Sequence, residues 1–182
     1  MARRLGLCVL VFAILSIDSR AQVFQSYKAV RLTVSTDKRR YKIGERIVAS
    51  YRLQNIGNEK LFVPVRFSAD CMPKVRWITG LQDESGRSMP SGYVGDCMPR
   101  SFSSGLEKIK ADSKLLSPGE QYAPEETFQT QGLNPGLYRV IVRLHAWKPA
   151  ELSDPDRQEL REFGVRVLTG NLNSSVVIRL TR

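Results

Sequence analysis

Histidine is the scarcest chemical group in this chain, with a single residue, His145, among 182. A blue-copper centre takes two histidines, so the sequence excludes one. A Ser-His-Asp or Cys-His triad would have to use His145, yet no Gly-x-Ser-x-Gly elbow occurs. The carboxylate pairs Asp83-Glu84 and Glu125-Glu126 are sequence neighbours, whose side chains point in different directions on a strand or turn. We therefore predict no catalytic residues, no cofactor and no enzymatic activity.

Long apolar runs are also scarce. The run over residues 5–17 is shorter than the roughly 20 residues that a membrane-spanning helix needs. Two arginines precede it, and Ser19-Arg20-Ala21 follows with small residues where signal peptidase reads them. We predict a cleavable signal peptide over residues 1–21, a periplasmic or secreted location, and no stable membrane span after cleavage. Residues 22–182 are then long enough for one domain with its own core.

Cysteine occurs three times, and Cys8 lies within the predicted signal. The other two, Cys71 and Cys97, occupy two copies of the tetrapeptide Asp-Cys-Met-Pro. With Met72 and Met98 they could form a Cu(I) site, because thiolate and thioether ligands suit that ion. We favour a Cys71–Cys97 disulfide instead, because exported thiols meet an oxidising environment. Such a bond would contribute about 3 kcal/mol by closing the intervening loop. We predict no metal ligands.

Negative charge is in deficit, and the formal net charge is +10. An exported basic protein meets anionic surfaces such as cell-wall polymers, acidic polysaccharides or acidic proteins. No recognition helix or ribonucleoprotein motif is present, so nucleic acid is not an expected partner. We expect an unidentified protein or an anionic envelope polymer. Many of the arginines alternate with apolar residues, as on the solvent face of a sheet: Arg31, Arg46, Arg52, Arg66, Arg76, Arg139, Arg143, Arg166 and Arg179.

Alternation of apolar and polar residues dominates the chain from residue 30 onwards. It predicts short strands that end at Gly, Asn or Pro, a pattern typical of a β-sandwich or barrel. The segments are residues 30–34, 46–55, 61–67, 75–79, 122–129, 137–147, 164–169 and 174–181, with 106–116 as an edge segment. A hairpin is expected at residues 83–87.

The strand over residues 137–147 has the clearest pattern. One face carries Tyr138, Val140, Val142, Leu144 and Ala146; the other carries Arg139, Ile141, Arg143, His145 and Trp147. Tyr138 follows a Pro-Gly turn and resembles the tyrosine corner of Greek-key sandwiches. His145 beside Trp147 is expected to be a surface or packing residue. In the segment 149–163, Asp154-Pro155 predicts a short capped helix.

Residues 89–105 are rich in Ser, Gly and Pro and predict one long loop. The predicted disulfide would tie this loop to the end of a strand. Because scaffold loops carry recognition, we take it as the candidate binding loop, and the 149–163 insertion as a second candidate surface. The binding residues expected within the loop are Tyr93, Met98, Arg100 and Phe102.

Two pairs of motifs resemble the Ig-like domains that bacteria place outside the cytoplasm. The first is Tyr41-Lys42-Ile43-Gly44-Glu45-Arg46-Ile47 followed by Leu53-Gln54-Asn55. The second is Leu116-Ser117-Pro118-Gly119-Glu120 followed by Pro135-Gly136-Leu137-Tyr138-Arg139-Val140. The bacterial intracellular proteinase inhibitor family is similar in motif order, and the similarity covers roughly residues 30–145.

The resemblance implies an all-β fold, an Ig-like Greek-key β-sandwich, to which the residue pattern adds one long loop and a short helical insertion before the last two strands. With the signal peptide and the lack of catalytic motifs, the expected function is that of an exported, non-catalytic binding or structural module of the envelope or secreted space. A secreted protease inhibitor is the alternative, and a copper-binding protein is the third hypothesis.

Overall fold

A computed structural model describes residues 24–25, 27–65, 77–89 and 106–182. Within them the chain forms thirteen strands: β1 (Phe24–Gln25), β2 (Val30–Thr36), β3 (Arg40–Lys42), β4 (Arg46–Asn55), β5 (Lys60–Pro64), β6 (Trp77–Asp83), β7 (Ser88–Met89), β8 (Ser113–Leu116), β9 (Gln121–Tyr122), β10 (Glu125–Gln129), β11 (Gly136–His145), β12 (Val165–Leu168) and β13 (Asn171–Thr181). The helices are α1 (Leu106–Asp112) and α2 (Asp154–Glu162), with 3-10 turns at Tyr27–Ala29 and Pro149–Glu151. The predominance of strands confirms the predicted all-β class.

Two sheets enclose the main core. The first, called here the β4 sheet, has the order β10-β4-β2, with β9 also paired to β4. The second, the five-stranded sheet, has the order β3-β13-β11-β6-β7. Pairing is antiparallel except that β3 runs parallel to β13. The chain crosses from one sheet to the other between β4 and β6 and between β10 and β11. The fold is therefore an Ig-like β-sandwich, as predicted.

Alternation along each strand places one face in this core and the other in solvent. On β11 the buried side chains are Tyr138, Val140, Val142 and Leu144, while those of Arg139 and Arg143 are exposed. On β4 the buried side chains are Ile47, Ala49, Tyr51 and Leu53. Each large apolar side chain buried in this way contributes about 1.5–3 kcal/mol. The predicted inner faces of both strands are confirmed.

Trp77 lies at the start of β6, in the middle of the core. It is 3% exposed, and its ring meets Tyr122 edge-on at a centroid distance of 6.0 Å and Tyr51 at 6.4 Å. The indole Nε1–H donates to the carbonyl oxygen of Pro64 at 2.9 Å, so burial leaves no unpaired donor. A buried tryptophan on this central strand is a hallmark of Ig-like sandwiches.

Tyr138 forms the predicted tyrosine corner. Its side chain is buried, and its hydroxyl donates to the backbone carbonyl of Asn134, four residues upstream, at 3.0 Å. The bond joins the start of β11 to the turn that brings the chain in from β10. The sequence prediction for this residue is confirmed.

A third sheet, with the order β1-β12-β5-β8, extends the sandwich and carries both helices. A second cluster of buried residues lies here: Leu106, Ile109, Trp147, Leu152, Leu160, Val165 and Val167. At its edge Arg166 of β12 makes two 2.7 Å bonds to the carboxylate of Glu59. This paired-fork geometry is the strongest form of a surface ion pair.

One prediction is partly right in this region and one is wrong. Residues 106–116, expected to be an edge segment, begin with helix α1, whereas their second part, β8, is the edge strand of the third sheet. Leu106 and Ile109 are three residues apart, and a helix turns both side chains into the second cluster. Trp147 was expected on the outer face of the long strand, but β11 ends at His145. Trp147 instead forms a bridge with Thr169 and is 1% exposed.

Helix α2 confirms the predicted capped helix within residues 149–163. Ser153 is the N-cap: its hydroxyl accepts from the backbone N–H of Asp156 at 3.3 Å. The Asp156 carboxylate in turn accepts from the backbone N–H of Ser153 at 3.0 Å. This reciprocal capping box pairs donors that the first helical turn cannot satisfy internally. None of the helices in the described ranges is long and apolar enough to cross a membrane.

Candidate functional site

The residues predicted to form the disulfide and the binding loop lie outside the described residues. They are Cys71 and Cys97 for the disulfide, and Tyr93, Met98, Arg100 and Phe102 for the loop. The predicted signal peptide lies outside them as well. These assignments stay predictions.

The described residues next to the segments 66–76 and 90–105 show where the chain on each side of them lies in the fold. Before residue 66, the backbone of Val65 donates to the carbonyl of Asp112 at 3.2 Å. After residue 76, the Trp77 indole is bonded to Pro64, so the two flanks of the first segment meet. Strand β7 runs back along β6 through the pair Leu81–Met89. Strand β7 therefore points towards Trp77, the first residue of β6.

His145 lies at the exposed end of β11, as predicted for a surface residue. Its Nδ1 lies 3.1 Å from the Oδ1 atom of Asn171, its cross-strand partner. No carboxylate bonds to this ring in the described part of the chain. The same part contains no group of three or more His, Cys, Asp or Glu side chains that could hold a metal ion.

The outer surface of the five-stranded sheet carries a group of exposed arginines. Arg139 and Arg143 lie four residues apart on β11, so both project outwards. Arg179 lies on the outer face of β13, and Arg40 lies on β3 directly opposite Arg179. All four side chains are exposed. We refer to Arg40, Arg139, Arg143 and Arg179 as the arginine face.

Pairing register brings these four residues together. The partner of Arg139 on β13 is Val177, so Arg179 is its diagonal neighbour, at a distance of about 7–8 Å. Arg143 is about 14 Å from Arg139 along the strand, at roughly 3.4 Å per residue. At the β3 edge Arg39 adds a fifth guanidinium, whose Nη1 donates to the carbonyl of Val177 at 3.3 Å.

Several exposed arginines have no acidic partner among the described residues: the four of the arginine face, and Arg31, Arg46 and Arg52 on the outer face of the β4 sheet. Elsewhere Arg87 pairs with Asp83, Arg157 with Asp154, and Arg166 with Glu59. Among the described residues, none of the ion pairs involves a member of the arginine face. Unpaired like charges repel one another, so the sheet holds a positive potential on this side.

Uncharged polar groups lie between the arginines. Asn173 is the cross-strand partner of Arg143, Ser175 that of Ile141, and both polar side chains are exposed. The described strands of this sheet turn their aromatic rings inwards: Tyr41, Trp77 and Tyr138 are all buried. The surface therefore combines guanidinium, amide and hydroxyl groups with the exposed aliphatic side chains of Ile78 and Val177 and the imidazole of His145.

At one end of the arginine face the sheet surface is concave. A depression of about 240 Å³ is bordered by Arg139, Val177, Leu137 and Glu84. The Glu84 carboxylate accepts from the backbone N–H of Leu137 at 3.2 Å. Asp83 also borders the depression, and its carboxylate accepts from Ser85 and Arg87, so both acidic groups at this end are engaged by neighbouring donors.

Sequence reasoning named three members of this face without grouping them. It placed Arg139 and Arg143 on one side of a strand, and it treated Arg179 as one of many scattered charges. Arg40 immediately precedes the motif over residues 41–47 and was not singled out. The four-residue spacing on β11 signals the first pair, whereas the grouping with Arg40 and Arg179 depends on register across distant strands.

Comparison with known proteins yields structural likeness alone. No family model matches the chain, and no curated protein matches its sequence. The resemblance to the proteinase inhibitor family therefore stays a prediction.

Among solved structures, the chain is similar to the CARDB domain of a Pyrococcus furiosus protein, at 8% identity and a TM-score of 0.39, over 84% of this chain and 87% of that one. It is also similar to the sporulation control protein Spo0M of Bacillus subtilis, at 14% identity and a TM-score of 0.40, over 84% and 48% of the two chains. For the C-terminal domain of wzt the identity is 9% and the TM-score 0.40, over 85% and 74%. These TM-scores lie below 0.5, and the function is therefore inferred from this chain's own geometry.

Proposed function

We propose that this protein is an exported, non-catalytic Ig-like module that binds an anionic partner in the envelope or secreted space. The observation that carries the proposal is the arginine face, four exposed guanidinium groups on one sheet with no acidic partner among the described residues. Arginine presents a fixed fork of donors that suits carboxylate, sulfate and phosphate groups. Export rests on the predicted signal over residues 1–21.

The state of the carboxyl groups supports a non-catalytic role. A general acid at neutral pH needs a raised pKa. Within the described ranges, hydrogen bonds instead lower the pKa of four carboxyls: Asp37 by Tyr41, Asp83 by Ser85, Glu120 by the backbone of Ser117, and Asp156 by Ser153. Each of these acids is ionised at neutral pH and engaged in holding a turn, strand or helix end.

Co-sedimentation tests the proposal. Residues 22–182 are mixed with the envelope fraction of the cells that produce the protein, at 10 mM and at 1 M salt. We expect the protein to sediment with the envelope at low salt and to leave it at high salt, where the screening length falls from about 30 Å to about 3 Å. The full chain should be recovered outside the cytoplasm with Gln22 at its N-terminus.

Three results would overturn this function. The first is a protein that stays in the supernatant at both salt concentrations. The second is a full chain that retains residues 1–21 in the cytoplasm. The third is stoichiometric inhibition within a panel of secreted proteases, which would assign the protein to the alternative class of protease inhibitors.

A further inference from the structure

We propose that the arginine face binds a linear anionic polysaccharide across β3, β13 and β11. This inference rests on the proposed function and names the class of ligand for the same surface. Four features carry it: the spacing of the charges, their lack of counter-ions, the polar groups between them and the inward orientation of the aromatic rings.

Spacing favours a polymer over a small anion. Arg40 and Arg179 are on adjacent strands, about 4.8 Å apart in backbone position, and Arg139 follows diagonally at about 7–8 Å. Arg143 lies about 14 Å farther along β11. One carboxylate or sulfate group can bridge the first two or three of these residues but cannot reach the fourth. A chain with a charge on successive sugar units can contact all of them.

Charge favours an external counter-ion. Like charges directly opposite each other on neighbouring strands lower the stability of a sheet. Arg40 and Arg179 are such a pair, and no acid within the described residues forms an ion pair with either. A bound polyanion removes this repulsion and offers each guanidinium a two-point hydrogen-bonded contact. The repulsion is thus a cost to the free protein that binding relieves.

The remaining chemistry of the face favours sugar over nucleic acid or a lipid surface. Asn173 and Ser175 provide exposed donors and acceptors that match sugar hydroxyl groups. Single-stranded nucleic acids use exposed aromatic rings as stacking platforms, and interfacial membrane binding uses exposed Trp, Phe or Leu. On β3, β6, β11 and β13 the tyrosine and tryptophan rings are buried and no phenylalanine occurs. The exposed apolar side chains of these strands are Ile78, Leu137 and Val177, and His145 adds an exposed imidazole.

Binding of two anionic polysaccharides tests the inference. The probes are polygalacturonate, which carries carboxylates, and dextran sulfate, which carries sulfates; neutral dextran serves as the uncharged control. The test variant is Arg139→Gln/Arg143→Gln. The matched control is Arg31→Gln/Arg52→Gln, which removes two exposed arginines from the outer face of the β4 sheet. Both variants lose two charges from a sheet surface, and circular dichroism and thermal melting verify that each folds.

We expect wild type to bind at least one of the charged polymers at low salt and not to bind dextran. The Arg139→Gln/Arg143→Gln variant should lose about tenfold or more in affinity. Each exposed ionic contact contributes about three- to fivefold, and the variant removes two of them. The Arg31→Gln/Arg52→Gln variant should lose less than about twofold. Preference for polygalacturonate or dextran sulfate identifies the anionic group that the face selects.

The contrary outcomes are distinct from failure of the proposed function. Equal loss in both double variants would show that net charge alone drives binding and would overturn the site. Tighter binding of a single-stranded oligonucleotide or of anionic vesicles than of either polysaccharide would overturn the ligand class. So would retention of wild type on the envelope without binding to either charged polymer, a result that leaves the proposed function standing.

Discussion

Arg40 of β3 and Arg179 of β13 are direct register partners in a parallel pair, and both side chains project into solvent. Core packing stabilises this pairing, because Tyr41, the next residue on β3, is 1% exposed and packs in the main core. Two positive charges are therefore fixed side by side by a contact that burial stabilises. The arrangement links the core of the fold to the charge of its surface.

This relationship predicts that removing one charge stabilises the free protein. Arg179→Gln should raise the free energy of unfolding by about 0.2–0.5 kcal/mol at 10 mM salt, because it removes a like-charge neighbour of Arg40. At 1 M salt the gain should disappear as screening shortens to about 3 Å. Urea denaturation of wild type and variant at the two salt concentrations measures the difference. Arg52→Gln, on the other sheet, is the control, and lower stability of Arg179→Gln at low salt would contradict the prediction.

Strand β11 shows which features of the fold the sequence alone predicts. Its inner and outer faces follow from the two-residue period of a strand, so Arg139, Arg143 and the buried Tyr138 are predictable without a structure. Arg40 and Arg179 lie 139 positions apart in the sequence (179 − 40), and no local pattern predicts that β3 adds to the edge of β13 in parallel. The arginine face therefore depends on the pairing register of strands that are distant in the sequence. A single sequence does not allow that register to be predicted.

The third sheet shows a different limit. The segment 106–116 contains Leu106, Ile109 and Leu116, a spacing compatible with a helix followed by a strand as well as with an irregular edge. Burial of Leu106 and Ile109 against Trp147 decides the outcome. Because Trp147 itself was assigned to the outer face of a strand, the partner surface for that helix could not be anticipated. Tertiary packing here overrides the local pattern.

We expect substitution of Asn55, the last residue of the Leu-x-Asn motif, to lower the free energy of unfolding strongly. Asn55 is 1% exposed, and its Nδ2 donates to the carbonyls of Glu59 at 2.8 Å and Leu116 at 3.0 Å, while its Oδ1 accepts from the backbone N–H of Gly57 at 3.0 Å. Asn55→Asp would place a charge against two carbonyl oxygens and remove both Nδ2 hydrogen bonds. We expect a loss of about 3–5 kcal/mol in urea denaturation.

The control for Asn55 lies in the same turn. Asn58 is exposed, and Asn58→Asp makes the same chemical change without burying it. Its free energy of unfolding should stay within about 0.5 kcal/mol of wild type. Similar losses in the two variants would mean that the added negative charge, rather than the three hydrogen bonds, determines the effect.

We expect the hydroxyl of Tyr41 to contribute to stability by an amount that depends on pH. It donates to the Asp37 carboxylate at 2.6 Å, and this bond, aided by the backbone N–H of Val48, holds the pKa of Asp37 below its usual value. The stabilisation is present above the unfolded pKa of about 3.9 and is lost as pH falls through the lower folded pKa. Tyr41→Phe should cost about 1 kcal/mol at pH 7 and less at pH 2–3.

Tyr138→Phe is the matched control for this pH dependence. The Tyr138 hydroxyl bonds the uncharged carbonyl of Asn134, so its loss should also cost about 1 kcal/mol but by the same amount at acid and neutral pH. Urea denaturation from pH 2 to pH 7 measures both variants. A cost for Tyr41→Phe that does not change with pH would show that Asp37 gains nothing from the bond.

The twin Asp-Cys-Met-Pro segments lead to the last prediction, which concerns the two cysteines of residues 22–182. If Cys71 and Cys97 are bonded, thiol titration of the denatured, unreduced protein should find no free thiol. Reduction should then lower the free energy of unfolding by about 3 kcal/mol, because the denatured chain regains the freedom that the closed loop removes. The variant Cys71→Ser/Cys97→Ser should have the stability of the reduced protein and should not respond to reductant.

Two free thiols in the exported protein would reverse this interpretation. The soft-metal hypothesis would then require Cu(I) to bind with the thiolates and with Met72 and Met98, and Met72→Leu/Met98→Leu would weaken that binding while leaving the thiol count unchanged. A disulfide has the opposite signature, since neither methionine contributes to it.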